Sequence, residues 1–213
     1  PSERPRFDSR FTFDRFVVDT SNRLAFNAAK ALAEPGAPRF SPLYLHSGTG
    51  QGKTHLMHAI GQAYLDAVPE ATAIYMPAER FMFEFVRAVR EKDTFAFKAR
   101  LRGVDLLMID DLQFIAGKES TQEEFFHTVD EFMREGKRLV IAADRSPLAL
   151  EGIEARLASR LGAGLAADIK PAELGLRRAI LDRKLEGMPG AAVPAEVLDL
   201  RAVVHSALGS LRS

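Results

Sequence analysis

Ser47-Gly48-Thr49-Gly50-Gln51-Gly52-Lys53-Thr54 decides the fold, because of what stands on either side of it. Leu43-Tyr44-Leu45-His46, behind Pro42, is an apolar run of the length of a short buried strand, and residues 53–67 carry a helical pattern. Glycines between a strand and a helix let backbone amides curl around an anion, and the helix start adds a favourable dipole. Lys53 supplies a point charge and Thr54 a hydroxyl for magnesium. The string therefore implies a P-loop for a purine nucleoside triphosphate. Ser47 stands where the motif ordinarily starts with glycine. Serine reaches many of the same backbone angles, so the mechanism survives the change.

Further along, residues 104–109 form the clearest core strand, apolar apart from Asp105, and Asp110-Asp111 follow it. Adjacent side chains on a strand point in opposite directions. One carboxylate can thus hold magnesium, directly or through water, while the other aims at the water beyond the γ-phosphate. Asp144 follows the apolar run Leu139 to Ala143. It reaches the γ-phosphate region if its strand neighbours that of Asp110; otherwise Asp144-Arg145-Ser146-Pro147 is a surface turn.

The remaining pattern alternates strands and helices. Helices are expected over 21–33 (capped by Asp19 or Thr20), 78–90, 93–101, 121–135 and 153–161, with strands over 73–76, 138–143 and 165–169. Such alternation implies an α/β fold: a mostly parallel five-stranded sheet covered by helices on both faces, with its site beyond the carboxyl ends of the strands. Residues 1–20 read as an amino-terminal arm. Its Phe7, Phe11, Phe13 and Phe16 either pack on the body or help wall a ligand pocket. Residues 21–170 form the nucleotide domain with a helical insertion near 78–102. Residues 171–213 read as a helical lid with helices over 172–185 and 195–206.

The 213 residues are 46% hydrophobic, enough for one large domain or a main domain with a smaller attachment. Cysteine is absent, which excludes a disulfide scaffold, thiolate metal sites and cysteine nucleophiles. Apolar runs fall far short of the ~20 residues that cross a bilayer, so a soluble, cytoplasmic protein is expected. Basic and acidic residues balance at 29 each, so nucleic-acid contact would need a local patch. In the insertion, Arg87, Lys92, Lys98, Arg100 and Arg102 are a basic supply and Val86 could touch a base or sugar; the alternative is a solvated hairpin packed through Phe81, Phe85 and Val89. Arg156 and Arg160 share one helix face. They are either solvated or reach the phosphate of a neighbouring subunit.

Collectively the residues resemble the AAA+ family of the bacterial chromosomal replication initiator DnaA, from about Phe11 to Leu200. The resemblance is carried by Phe13-Asp14-Arg15-Phe16-Val17, Gly50-Gln51-Gly52-Lys53-Thr54-His55-Leu56, Ile109-Asp110-Asp111-Leu112-Gln113-Phe114, Gln122-Glu123-Glu124-Phe125-Phe126-His127-Thr128 and Arg156-Leu157-Ala158-Ser159-Arg160. It implies ATP or ADP with Mg2+, held by Gly48, Thr49, Gly50, Gln51, Gly52, Lys53, Thr54 and His55, with Phe16, Val17 and Asn22 near the adenine. Thr54 and Asp110 would be the metal residues, Asp110 and Asp111 the Walker B pair, and Asp144 sensor 1. Arg160 would be a trans-acting arginine finger and Arg156 a nucleotide-state or interface arginine, so the partner is a second copy through that face.

The insertion would line a channel for single-stranded DNA through Val86, Arg87 and Lys118. Double-stranded origin DNA would need a carboxy-terminal domain with no candidate here, and the start at Pro1 suggests a fragment. The family tends to a basic residue where Ser120 stands, and a sensor 2 arginine where only a displaced Arg212 is found. The implied activity is a weak ATPase acting as a replication-initiation switch. The alternatives are a related protein that stimulates hydrolysis on the initiator, a helicase loader, or a nucleotide-binding structural role without turnover.

Overall fold

A computed structural model of the chain describes residues 5–186 together with Val197 and Asp199. Five parallel strands lie in the order β2-β3-β4-β1-β5: β1 Leu43–His46, β2 Ala73–Pro77, β3 Leu106–Asp110, β4 Arg138–Ala143 and β5 Leu165–Asp168. Strand β1, which leads into the glycine loop, is thus flanked by β4 and β5, and β4 separates it from β3. All five residues of β3 and all six of β4 are buried, as expected of central parallel strands covered on both faces.

The two-residue period of the strands divides the core. Leu106, Met108, Val140 and Ala142 face a layer made with Leu56, Met57 and Ile60 of helix α2 (Lys53–Ala67) and Ala25, Ala29 and Leu32 of α1 (Arg23–Ala33). Leu107, Ile109, Leu139 and Ile141 face the opposite layer. It holds Phe81 of α3 (Ala78–Glu91), Phe97 and Leu101 of α4 (Thr94–Arg102), Phe125, Val129 and Phe132 of α5 (Glu119–Glu135) and Leu157 and Leu161 of α6 (Ala155–Gly162). Both layers place their helix amino-termini or loops near the carboxyl edge of the sheet, where the site lies.

Two element boundaries move from their sequence-based positions for identifiable reasons. Helix α1 begins at Arg23 rather than 21, because Asp19 Oδ1 accepts both the N–H and the hydroxyl of Ser21 and keeps that segment a turn. Neither Asp19 nor Thr20 is its cap residue; Asn22 stands there. Strand β3 begins at Leu106 rather than 104, since the Asp105 carboxylate is spent on the N–H and hydroxyl of Thr72. It ends on Asp110, which is a strand residue and not the first of the loop.

A buried guanidinium ties α1 to the sheet. Arg138, at the start of β4, donates to the carbonyls of Leu32, Glu34 and Gly36 and lies 4.1 Å over the Tyr64 ring. A guanidinium at the carboxyl end of α1 meets the orphan carbonyls that any helix end leaves.

Beyond the sheet, α7 (Leu174–Leu185) follows Pro171. Of the second expected lid helix over 195–206, only Val197 and Asp199 are among the described residues, both helical; Arg212 lies outside them. Among the described residues, no helix is long and apolar enough to cross a membrane.

Candidate nucleotide-binding site

The glycine loop leaves β1 anchored to its neighbour: Ser47 N donates to Ala143 O at 3.2 Å, at the end of β4. Gly50 and Gly52 take φ of 77° and 109°, the left-handed region where a side chain is strained. A Cβ on Gly52 would also lie 2.9 Å from Phe16 Cε2. From this loop α2 starts at Lys53, whose ammonium is buried and donates to Ser47 O (2.8 Å), Ser47 Oγ (3.1 Å) and Gly48 O (3.2 Å). Burial lowers the Lys53 pKa, and the charges of Asp110, Asp111 and Asp144 oppose that shift. Residues from β3, from the turn after it and from the turn after β4 therefore face one ammonium.

Asp110 is the most constrained of the three carboxylates. Its Oδ2 accepts the hydroxyls of Thr54 at 2.8 Å and Tyr75 at 3.0 Å, and its Oδ1 accepts the Asp111 N–H at 2.9 Å. The Thr54 hydroxyl donates to Asp110, so its lone pairs remain for a cation. One hydroxyl backed by one carboxylate, completed by phosphates and water, is a donor set that suits Mg2+. Contrary to the expectation that both carboxylates sit on the strand, strand alternation does not set the direction of Asp111. It lies past the strand with φ 54°, a left-handed backbone uncommon for a residue other than glycine, and Gln113 Nε2 donates to its Oδ1 at 3.1 Å.

Asp144 follows β4, adjacent to β3, which satisfies the condition for its approach to the site. Its turn is pinned by Tyr44, whose buried hydroxyl donates to Arg145 O at 2.9 Å. Tyr44 and Tyr75 escaped the sequence reading. Their signal was a hydroxyl in a strand beside β4 and in a strand beside β3, respectively.

On the opposite side of the loop, Phe16 stacks on Phe26 with centroids 5.7 Å apart and meets the edge of His55 at 5.1 Å. Asn22 is buried, and its amide is spent on Val17 O and Asp19 N, both at 3.0 Å. It fixes the backbone of Val17. His55 Nε2 contacts Thr12 O at 2.7 Å, and Phe11 stacks on its ring at 5.0 Å. Burial lowers the His55 pKa. Phe7 packs on His58 and Tyr75, and Phe13 on Phe26. The arm phenylalanines are thus packed on the body, with Phe16 also beside Gly52. Gln51 Oε1 accepts the Ala172 N–H at 3.1 Å, tying the loop to the chain leading into α7.

With that geometry in place, known proteins can be compared. Residues 7–168 match the family described as the bacterial DnaA ATPase domain. The chain belongs to this DnaA ATPase-domain family. The chromosomal replication initiator protein DnaA of Zymomonas mobilis is 56% identical over 196 residues, 92% of this chain and 40% of that protein. The chain therefore spans about two fifths of that relative's length. Domain III of the Thermotoga maritima replication initiation protein DnaA superposes with a TM-score of 0.87 at 36% identity, over 93% of this chain and 82% of that one. A replication initiator DnaA bound to AMPPCP and single-stranded DNA gives 0.84 at 30% identity, covering 93% of this chain and 61% of the other. The fold is that of an AAA+ P-loop ATPase.

Other residues singled out in the DnaA-family sequence lie away from the loop. Arg156 pairs with Glu154 at 3.0 Å and Arg160 with Asp130 at 3.0 Å, and both guanidinium groups lie over Phe126. Val86 and Lys118 line one shallow groove of about 420 Å³ with Met82 and residues 117–121, Ser120 among them. Arg87 pairs instead with Glu91 at 3.3 Å.

Much of the expected basic supply is consumed internally. Lys98 pairs with Glu124, Arg100 with Glu84, and Arg102 with Glu124 and Glu131. Phe81 and Phe85 pack against Phe97 as the hairpin reading expects, but Val89 is exposed.

Proposed function

We propose that this ATPase domain binds ATP with Mg2+ and hydrolyses it slowly, serving as a switch for replication initiation. The observation that carries the reading is the convergence of Lys53, Thr54, Asp110, Asp111 and Asp144 at the carboxyl edge of β1, β3 and β4. Backbone amides of 48–52 would cradle the phosphates, and Lys53 would neutralise their charge. Thr54 and Asp110 would hold the magnesium, which would supply charge neutralisation at the phosphates. Asp111, just past the strand, would orient the attacking water, and Asp144 would stand near the γ-phosphate. Phe16 and Val17, fixed by Asn22, would border the adenine.

Hydrolysis is completed between subunits. Arg160 has its contacts on α5, so it would act on a neighbour's phosphate, with Arg156 beside it at the same interface. Nucleotide would then control assembly by contacting assembled and free states differently. Single-stranded DNA would run along the insertion, with Val86 and Lys118 in their groove and Arg87 on the adjoining helix surface. A replication initiator DnaA of similar fold bound to AMPPCP and single-stranded DNA supports single-stranded DNA as a ligand. The domain would work in the cytoplasm, where ATP and the chromosome are.

Lys53→Ala should abolish ATP binding in a titration with the folded protein, because a buried ammonium is the loop's one point charge. ATP binding at wild-type affinity by that variant would sink the reading. Sizing with ATP, ADP and single-stranded DNA tests the assembly half. Unchanged size and DNA affinity across all three would remove it, and stimulation only on adding a full-length initiator would favour the regulatory alternative.

A further inference from the structure

A lysine ammonium has three protons to donate. Those of Lys53 meet three oxygens of its own loop: Ser47 O at 2.8 Å, Ser47 Oγ at 3.1 Å and Gly48 O at 3.2 Å. Two of these are backbone carbonyls that would be present with any residue at 47 or 48. The third is a side-chain oxygen, and the glycine with which the motif ordinarily starts would not supply it. Ser47 is only 4% exposed, and its hydroxyl proton is committed to Gly48 O at 3.0 Å, which leaves Oγ turned to the ammonium as an acceptor.

We propose that Ser47 sets the nucleotide affinity of this site, its hydroxyl competing with the phosphate oxygens for the Lys53 ammonium. The inference rests on the ATP-binding reading above. With glycine at 47, one Lys53 proton would stand uncommitted and aimed by the two carbonyls. With serine, a phosphate oxygen takes that proton only by breaking or sharing the bond to Oγ. A charged phosphate is the stronger acceptor, so the exchange goes forward. It still leaves a buried Oγ short of the donor it had, and that loss is subtracted from the binding free energy. The hydroxyl therefore weakens binding without blocking it. The effect should fall on ATP and ADP alike, since both present a β-phosphate.

Affinities of ATP and ADP measured by calorimetry for wild type, Ser47→Ala, Ser47→Gly and Lys53→Ala test this. Removing one hydrogen bond of ordinary net strength should tighten binding about threefold to tenfold, and to a similar degree in both Ser47 variants. Ser47→Ala removes the hydroxyl but keeps the Cβ, so tightening confined to Ser47→Gly would assign the effect to backbone freedom and overturn the proposal. Wild-type or weaker affinity in both folded variants would overturn it as well. Failure of the underlying reading looks different: Lys53→Ala would then bind ATP as wild type does. Thermal melting of each variant confirms that the proteins compared are folded.

Discussion

Asp110 Oδ2 accepts hydrogen bonds from the hydroxyls of Thr54 on α2 and Tyr75 on β2. A carboxylate gripped from two elements is pre-aimed, and the Tyr75 hydroxyl keeps its proton because burial, reinforced by Asp110, pushes its pKa well above the ordinary value. Tyr75→Phe should loosen Asp110 and raise the Mg2+ concentration for half-maximal hydrolysis about tenfold, while ATP binding in EDTA stays as in wild type. An unchanged magnesium titration would reduce Tyr75 to packing. Arg138 makes a second prediction at this scale. Arg138→Leu strands the carbonyls of Leu32, Glu34 and Gly36, at a cost of about 3 kcal/mol in urea unfolding; a loss under about 1 kcal/mol would mean that water replaces the guanidinium. The motif residues Lys53, Thr54 and Asp110 were legible because the loop's chemistry is local and the Asp110 strand announces itself by composition. Tyr75 and Arg138 were not: their partners lie 35 and 106 residues away, and only strand order brings them together.

Among the elements, β3 and β4 were legible because central parallel strands must be apolar on both faces. The role of the α3–α4 charges was not, since Glu124 and Glu131, which neutralise Lys98 and Arg102, come from α5. The arm shows the same limit. Its aromatics announced packing, but its hold on α2 also includes Gln62 Nε2, which donates to Asp8 O and Phe11 O, the His55 contact with Thr12 O, and a second histidine contact. Asp8 N–H donates to His58 Nδ1 at 3.0 Å, which a protonated ring could not accept. Burial lowers the His58 pKa from 6.5; Asp8 and Asp110 pull it back up, and His55 pushes it further down. An undocked His58 therefore binds a proton more readily than a docked one. Docking is fully present above the ordinary value of 6.5 and is lost as pH falls through the lower docked-state value. Limited proteolysis of the arm should accelerate as pH falls below about 6.5. His58→Gln, which can accept the same N–H and does not titrate, should flatten that dependence; an equally steep profile in the variant would place the switch elsewhere.

At the scale of the whole molecule, the site is one-sided. The glycine loop, Lys53, Thr54 and Asp110 gather at the carboxyl edge of the sheet, yet the arginines of α6 are held by Glu154, Asp130 and Phe126. Arg160 is 46% exposed in its side chain and its pair with Asp130 is a surface one, so exchanging that carboxylate for a neighbour's phosphate costs little. An arginine supplied across an interface is worth about 10³–10⁵ in rate in related phosphoryl transfers. Hydrolysis per molecule should therefore rise with protein concentration. Arg160→Ala should bind ATP normally and lose most of that rise. Lys53→Ala should fail to bind ATP, yet it still carries Arg160. Mixed together, the two inactive variants can form interfaces in which an intact loop meets an intact arginine, so the mixture should recover a measurable fraction of wild-type hydrolysis. If Arg160 acted within its own subunit, or only on the surface, no interface would contain both parts and the mixture would stay as inactive as its components.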